Sequence, residues 1–202
     1  RAVIEETSPT FYCYYSKRYR QDVNDGKEVV WMSERSGWNH LYLYDGVTGK
    51  MKNAITKGDW VVRSVAKVDE AKRQIWFAAS GVNEGEDPYL LHWYRVNFDG
   101  TAMTPITPAP GNHAVAFTDD LSHFIDTYSR PDMAPVSELR RASDLSLVTK
   151  LEEGDIAPLR GTGWQAPETF TAKARDGATD IWGLIYRPSN FDASRKYPVL
   201  EY

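Results

Sequence analysis

Apolar and polar positions along the chain fall into short runs of strand length, separated by Gly, Asn and Asp. The clearest stretch is Val29 to Asp45, VVWMSERSGWNHLYLYD. An apolar run from Val29 to Met32 ends in Ser33, and a polar turn follows around Ser36 and Gly37. Leu41 to Tyr44 then leads to Asp45 and Gly46. Short β-rich runs punctuated in this way predict antiparallel hairpins.

The same order of elements returns downstream. Ahead of the first hairpin, Phe11 to Tyr15 predicts a strand and Ser16 to Lys27 a polar segment turning at Asp25-Gly26. After it, Asn53 to Thr56 predicts a short strand. A second round runs through Val61 to Val68, Ile75 to Ser80, Tyr89 to Val96 and Met103 to Thr107. A third runs through Ala114 to Thr118, Phe124 to Ser129, Val136 to Ala142 and Leu147 to Leu151. The serine closing the first arm of each hairpin is Ser33, Ser80 and Ser129, in steps of 47 and 49. The aspartate closing the second arm is Asp45, Asp99 and Asp144, in steps of 54 and 45.

Four short antiparallel strands per ~40–50 residues is the period of β-propeller blades. A β-sandwich is the alternative, with strands every 8–12 residues or so, but it gives no reason for marker residues to return at that period. The fold class read here is all-β: an incomplete β-propeller of about three four-stranded antiparallel blades, followed by further strands of different character. A closed ring needs about four to eight blades, so open apolar blade faces predict self-association through blade edges.

From Ile156 the pattern changes. Pro158, Gly161, Gly163 and Pro167 mark a linker. Phe170 to Arg175 and Asp180 to Tyr186 flank Asp176-Gly177 as a second kind of hairpin, Ser189 to Arg195 reads as a surface loop, and Tyr197 to Tyr202 begins another strand. The expected division is a partial propeller over 1–158 and the opening of a second domain over 159–202. A start at Arg1 and a stop inside an apparent strand predict a piece of a longer protein.

Composition narrows the chemistry. Aromatic residues make up 13% of the chain, and Tyr and Trp suit packing between sheets. A net charge of −4, with Lys and Arg scattered among acids, argues against a nucleic-acid surface. No apolar run reaches the length of a membrane span. The single cysteine, Cys13, reads as a small buried apolar residue.

No G-x-S-x-G nucleophile elbow occurs. His40, His92, His113 and His123 are far apart in sequence and match no metal spacing, and the recurrence of His40 and His92 in second arms points to packing. Gly161-Thr162-Gly163-Trp164-Gln165-Ala166 satisfies G-x-G-x-x-A formally. That motif requires a strand before it and a helix after it, whereas Pro167 and a hairpin follow here. Glu5-Glu6, Asp119-Asp120 and Glu152-Glu153 read as solvated surface, the middle pair in a turn and the others in connections. No catalytic residue, cofactor-binding residue or metal ligand is assigned, no cofactor is expected, and substrate-binding residues are left unassigned.

Three stretches carry a family resemblance: Trp31 to Tyr44, Ile55 to Val62 (ITKGDWVV) and Tyr197-Pro198. In combination they resemble the dipeptidyl peptidase IV branch of the prolyl oligopeptidase-type serine peptidases, over essentially the whole chain. The run from Asp176-Gly177 through Asn190-Phe191-Asp192 to Lys196-Tyr197-Pro198 is similar to that family's entry into its α/β-hydrolase domain. The resemblance implies an N-terminal propeller capping a hydrolase domain that removes dipeptides from peptide N-termini, often after proline or alanine. It places the Ser-Asp-His triad beyond Tyr202, and it does not make Tyr202 the oxyanion-stabilising tyrosine. Glu5-Glu6 follows Val3-Ile4 and lies outside the family's aromatic-Glu-Glu context, so no amine-gripping role is carried over. Peptide substrates of the longer protein are the implied partners, and a periplasmic, secreted or envelope location fits by analogy. Endopeptidase relatives, a stand-alone propeller scaffold and a relative that has lost its serine stay open as alternatives.

Overall fold

The computed structural model describes residues 4–7 and 18–201; the strand expected over Phe11 to Tyr15, Cys13 and Tyr202 lie outside them. Three four-stranded sheets follow one another, each an antiparallel meander whose strands keep chain order. The first comprises β1 (Arg20–Val23), β2 (Glu28–Ser33), β3 (His40–Asp45) and β4 (Met51–Ala54). β5 (Val61–Asp69), β6 (Gln74–Ser80), β7 (Leu91–Asn97) and β8 (Thr104–Pro105) make the second. The third holds β9 (Asn112–Phe117), β10 (His123–Arg130), β11 (Met133–Arg141) and β12 (Leu147–Glu153). These are the blades of an incomplete propeller.

Period-two alternation decides which blade each side chain meets. On β6, Ile75, Phe77 and Ala79 enter a core shared with the first blade, while Trp76 and Ala78 enter one shared with the third. On β2 and β3, Val30, Met32, Leu41 and Leu43 face the second blade. Val29, Trp31, Tyr42 and Tyr44 face the opposite way, where Ile4 packs on them. A middle strand is thus covered on both faces, which is why β2 and β6 read as near-continuous apolar runs. The aromatic residues of the first hairpin pack away from the second blade. In the second blade Trp76 and Trp93 fill the next seam, edge-on to Phe117 at 5.3 and 6.0 Å between ring centroids.

The marker aspartates close the hairpins between the third and fourth strands. Asp45 accepts from the backbone N–H of Val47 and Thr48, Asp99 from that of Thr101, and Asp144 from that of Ser146. An Asx turn needs a short carboxylate two residues before the donor, and that requirement sets the repeat. The serines have no such common bond.

Four expectations are corrected. Ser16 to Lys27 contains β1, held by its ladder to β2 (Arg20 opposite Trp31, Val23 opposite Glu28) and by the one apolar side chain it buries, Val23. Glu152 and Glu153 lie in β12, paired with Ser137 and Val136. The linker carries a short helix, α1 (Ala157–Gly161). Among residues 197–201 there is no strand, because an extended segment without a ladder partner has nowhere to place its N–H and C=O groups.

The second hairpin type is present as β13 (Glu168–Lys173) and β14 (Asp180–Ile185), a separate two-stranded sheet. Asp176 accepts from the N–H of Ala178 and Thr179 and from the Thr179 hydroxyl, which holds its carboxyl down at about 2. Opposite Phe170 stands Gly183, where a Cβ would come within 2.5 Å of the ring. Among the described residues no helix is long and apolar enough to cross a membrane.

Candidate functional site

The connections between second and third strands, and those between successive blades, all emerge at one end of the blades. Two polar clusters sit there, one at each seam. At the first seam, Asn39 Nδ2 donates to the Val62 carbonyl at 2.7 Å and Val62 N–H returns a bond to the Asn39 carbonyl at 2.8 Å. His40 is buried. Its Nδ1 lies 3.0 Å from Thr56 Oγ1 and its Nε2 2.9 Å from the Gly58 carbonyl. Because a carbonyl only accepts, Nε2 carries the hydrogen, and Thr56 donates to Nδ1 while accepting from Leu41 N–H. Burial pushes the His40 pKa below its ordinary value, against a smaller upward pull from the Gly58 carbonyl.

Trp60 stands edge-on to His40 at 4.7 Å and stacks on Phe77 at 6.3 Å. Gly58 is required beneath it: its φ is +132°, and a Cβ would reach Trp60 Nε1 at 2.4 Å. The two stretches WNHLYLYD and ITKGDW are therefore one packing unit that locks the first blade to the second. Its second copy is looser: Thr107 Oγ1 accepts from Trp93 N–H, and Ile106 N–H bonds the Trp93 carbonyl, as Ile55 does with Leu41. The equivalence of His40 and His92 follows from this.

At the second seam the structure brings together two histidines that are 21 residues apart in sequence. His92 and His113 lie 5.0 Å apart between ring centroids, and both are buried. Glu86, from the long connection before β7, places Oε2 2.9 Å from His92 Nε2. Asp126 places Oδ1 2.7 Å from His113 Nδ1. A cleft of about 520 Å³ opens beside them, lined by Asn83, Glu86, His92, Thr107, Pro108 and Pro110. Sequence reasoning missed this grouping: the repeat of a His at the start of a strand with a Thr 15–16 residues later marks His92 but not His113.

The remaining candidates stay apart. Among the described residues no group of three or more His, Cys, Asp or Glu is placed to hold a metal. Ser122 Oγ lies 2.9 Å from His123 Nδ1 and donates to Asp120 Oδ1 at 2.8 Å. This is a turn and lacks nucleophile geometry: the carboxylate bonds the hydroxyl, whereas an activated serine needs it behind the imidazole. Ser33 hydroxyl bonds Glu6, whose carboxylate also accepts from Trp31 Nε1 at 2.9 Å and approaches Arg35 at 3.6 Å. Glu6 is thus mostly buried, against the expectation of solvated surface, while Glu5 is exposed. The G-x-G-x-x-A segment begins at the last residue of α1 and leads into β13, so no helix N-terminus faces it.

The profile described as "Dipeptidyl peptidase IV (DPP IV) N-terminal region" matches residues 1–135. A dipeptidyl peptidase 4 of Trichophyton equinum is 30% identical over 189 residues, covering 92% of this chain and 24% of that protein. One from Arthroderma otae is 29% identical over the same coverage. The crystal structure of Porphyromonas gingivalis dipeptidyl peptidase 4 superposes with a TM-score of 0.69 at 26% identity, over 90% of this chain and 26% of that one. The chain spans about a quarter of the length of the curated relatives it matches.

Proposed function

Since this chain belongs to the dipeptidyl peptidase IV family, through that family's N-terminal region, we propose that it is the substrate-gating and substrate-positioning propeller segment of a serine exopeptidase. The parent would release N-terminal dipeptides, Xaa-Pro and Xaa-Ala among them, with its nucleophile, base and oxyanion donors outside residues 1–202. Residues 159–202, with the β13–β14 sheet, are the entry to the catalytic domain in this reading.

The observation that carries it is the pairing of a rigid blade stack with side chains committed to packing. The imidazoles of His40 and His113 have both ring nitrogens engaged. Such a segment acts by exclusion and orientation, which can supply a large part of a barrier reduction without touching the reacting atoms. The full-length parent, given Ala-Pro on a small chromogenic leaving group and the same Ala-Pro at the N-terminus of a folded protein, should cleave the first and refuse the second. Equal rates on both would sink the gating role.

β12 favours a second reading, a scaffold covered by another protein surface. Leu147, Val148 and Leu151 are about half exposed on it, and unpaired apolar edges associate. Sedimentation of the isolated chain should show concentration-dependent association, and a monomer at all concentrations would remove this reading.

A further inference from the structure

The His113–Asp126 contact at the second seam has a proton count that geometry dictates. Both side chains are fully buried. His113 Nε2 lies 2.8 Å from the Ala109 carbonyl oxygen, which only accepts, so Nε2 bears a hydrogen. His113 Nδ1 lies 2.7 Å from Asp126 Oδ1. Two bare acceptors at that distance, out of water, would repel, so a second hydrogen lies between them. Whether it rides on the ring or on the carboxyl, the pair holds one proton more than a neutral imidazole and a carboxylate hold in water. The pair is then neutral overall, the state that burial favours. Asp126 Oδ2, buried and without a hydrogen-bond partner, fits a carboxyl whose charge is cancelled.

The surrounding charges do not supply a substitute for that proton. On β10, Tyr128 packs its ring 5.2 Å from His113, and its hydroxyl, pushed up chiefly by burial, stays neutral. Tyr128 Oη reaches Glu138 of β11 at 3.4 Å, and Glu138 is matched by Arg140 at 2.6 Å. Arg130 is matched by Asp132 at 2.9 Å. Across the seam from β7 and its preceding connection come His92 and Glu86. His113 also ties the blades directly, since its carbonyl accepts from Trp93 Nε1 at 3.2 Å, and its neighbour Asn112 accepts from Leu91 N–H at 3.1 Å.

We propose that the His113–Asp126 pair, held within the third blade, makes folding of this chain proton-linked, the folded pair holding one proton that the unfolded chain releases.

The test is a proton count on the 202-residue chain. Urea unfolding in weakly buffered solution at pH 7.5, followed by pH-stat, should release about one proton per chain more from the unaltered protein than from Asp126→Asn. Equal release from both, or none from the unaltered chain, overturns the proposal. Should Asp126→Asn not fold, 15N imidazole and 13C carboxyl NMR of the unaltered chain decides alone. One proton shared between His113 and Asp126 supports the proposal, and a bare Nδ1 beside an ionised carboxylate overturns it.

Discussion

Glu28→Ala tests how the first two blades are held together. Glu28 opens β2 and is 5% exposed. Arg73, in the turn between β5 and β6, donates Nη1 to Oε2 at 2.7 Å and Nη2 to Oε1 at 3.3 Å, and Lys52 of β4 bonds Oε1. Arg73 also lies over the Phe98 ring at 4.6 Å. Charge-assisted bonds contribute about 1.5–3 kcal/mol each way of counting, and breaking a fully buried pair costs about 3–5 kcal/mol. Here the cations' side chains are 48% and 45% exposed, so both return to water when the carboxylate goes. The expected loss is therefore about 1–2 kcal/mol, between the buried limit and the exposed one of at most ~1 kcal/mol. Urea unfolding at pH 7 measures it, and a cycle with Arg73→Ala should show coupling of about 1 kcal/mol.

The pH dependence has a definite sign. The Arg73 bonds hold the Glu28 carboxyl below its ordinary 4.5. A depressed carboxyl stabilises fully above 4.5 and loses that contribution as pH falls through its folded value, so the gap between Glu28→Ala and the unaltered chain should close in acid. A change within ~0.5 kcal/mol of zero at pH 7, with additive single mutants, would refute the docking of these blades.

Three further outcomes are expected. Phe77→Ala, which empties a fully buried ring site between Trp60 and Tyr94, should cost about 3–5 kcal/mol in urea unfolding. His40, depressed by burial, should stay neutral to lower pH than an ordinary imidazole in an NMR titration; its contribution is full above the ordinary 6.5 and fades as pH falls through its folded value. Tyr94, pushed up to about 12 by burial and by Glu86, should give an ultraviolet titration step well above an ordinary phenol, and Tyr94→Phe should remove that step.

Much of the fold was legible because the features that specify it are local. The apolar runs of β2, β3, β6 and β7 and the turn aspartates each follow from a strand or an Asx turn within a few residues. β1 was not legible, since Arg20, Gln21 and Asp22 are exposed and only the ladder to β2 makes them a strand. The stretch from Tyr197 showed strand propensity without a partner to pair with. At the candidate site, the packing role of His40 was readable from its recurrence in His92. The His92–His113 contact was not, because two blades must close before β7 and β9 meet. Glu6 was misjudged for a similar reason: its partners Trp31, Ser33 and Arg35 are some 25–29 residues away in sequence.

In the proposed function these residues are scaffold, with the chemistry of the parent outside them. The direct measurement is release of p-nitroaniline from Gly-Pro and Ala-Pro substrates, assayed side by side on the repurified 202-residue chain and on its full-length parent. The parent should turn over both substrates and the 202-residue chain neither. Turnover that stays with the 202-residue chain through repurification would contradict it.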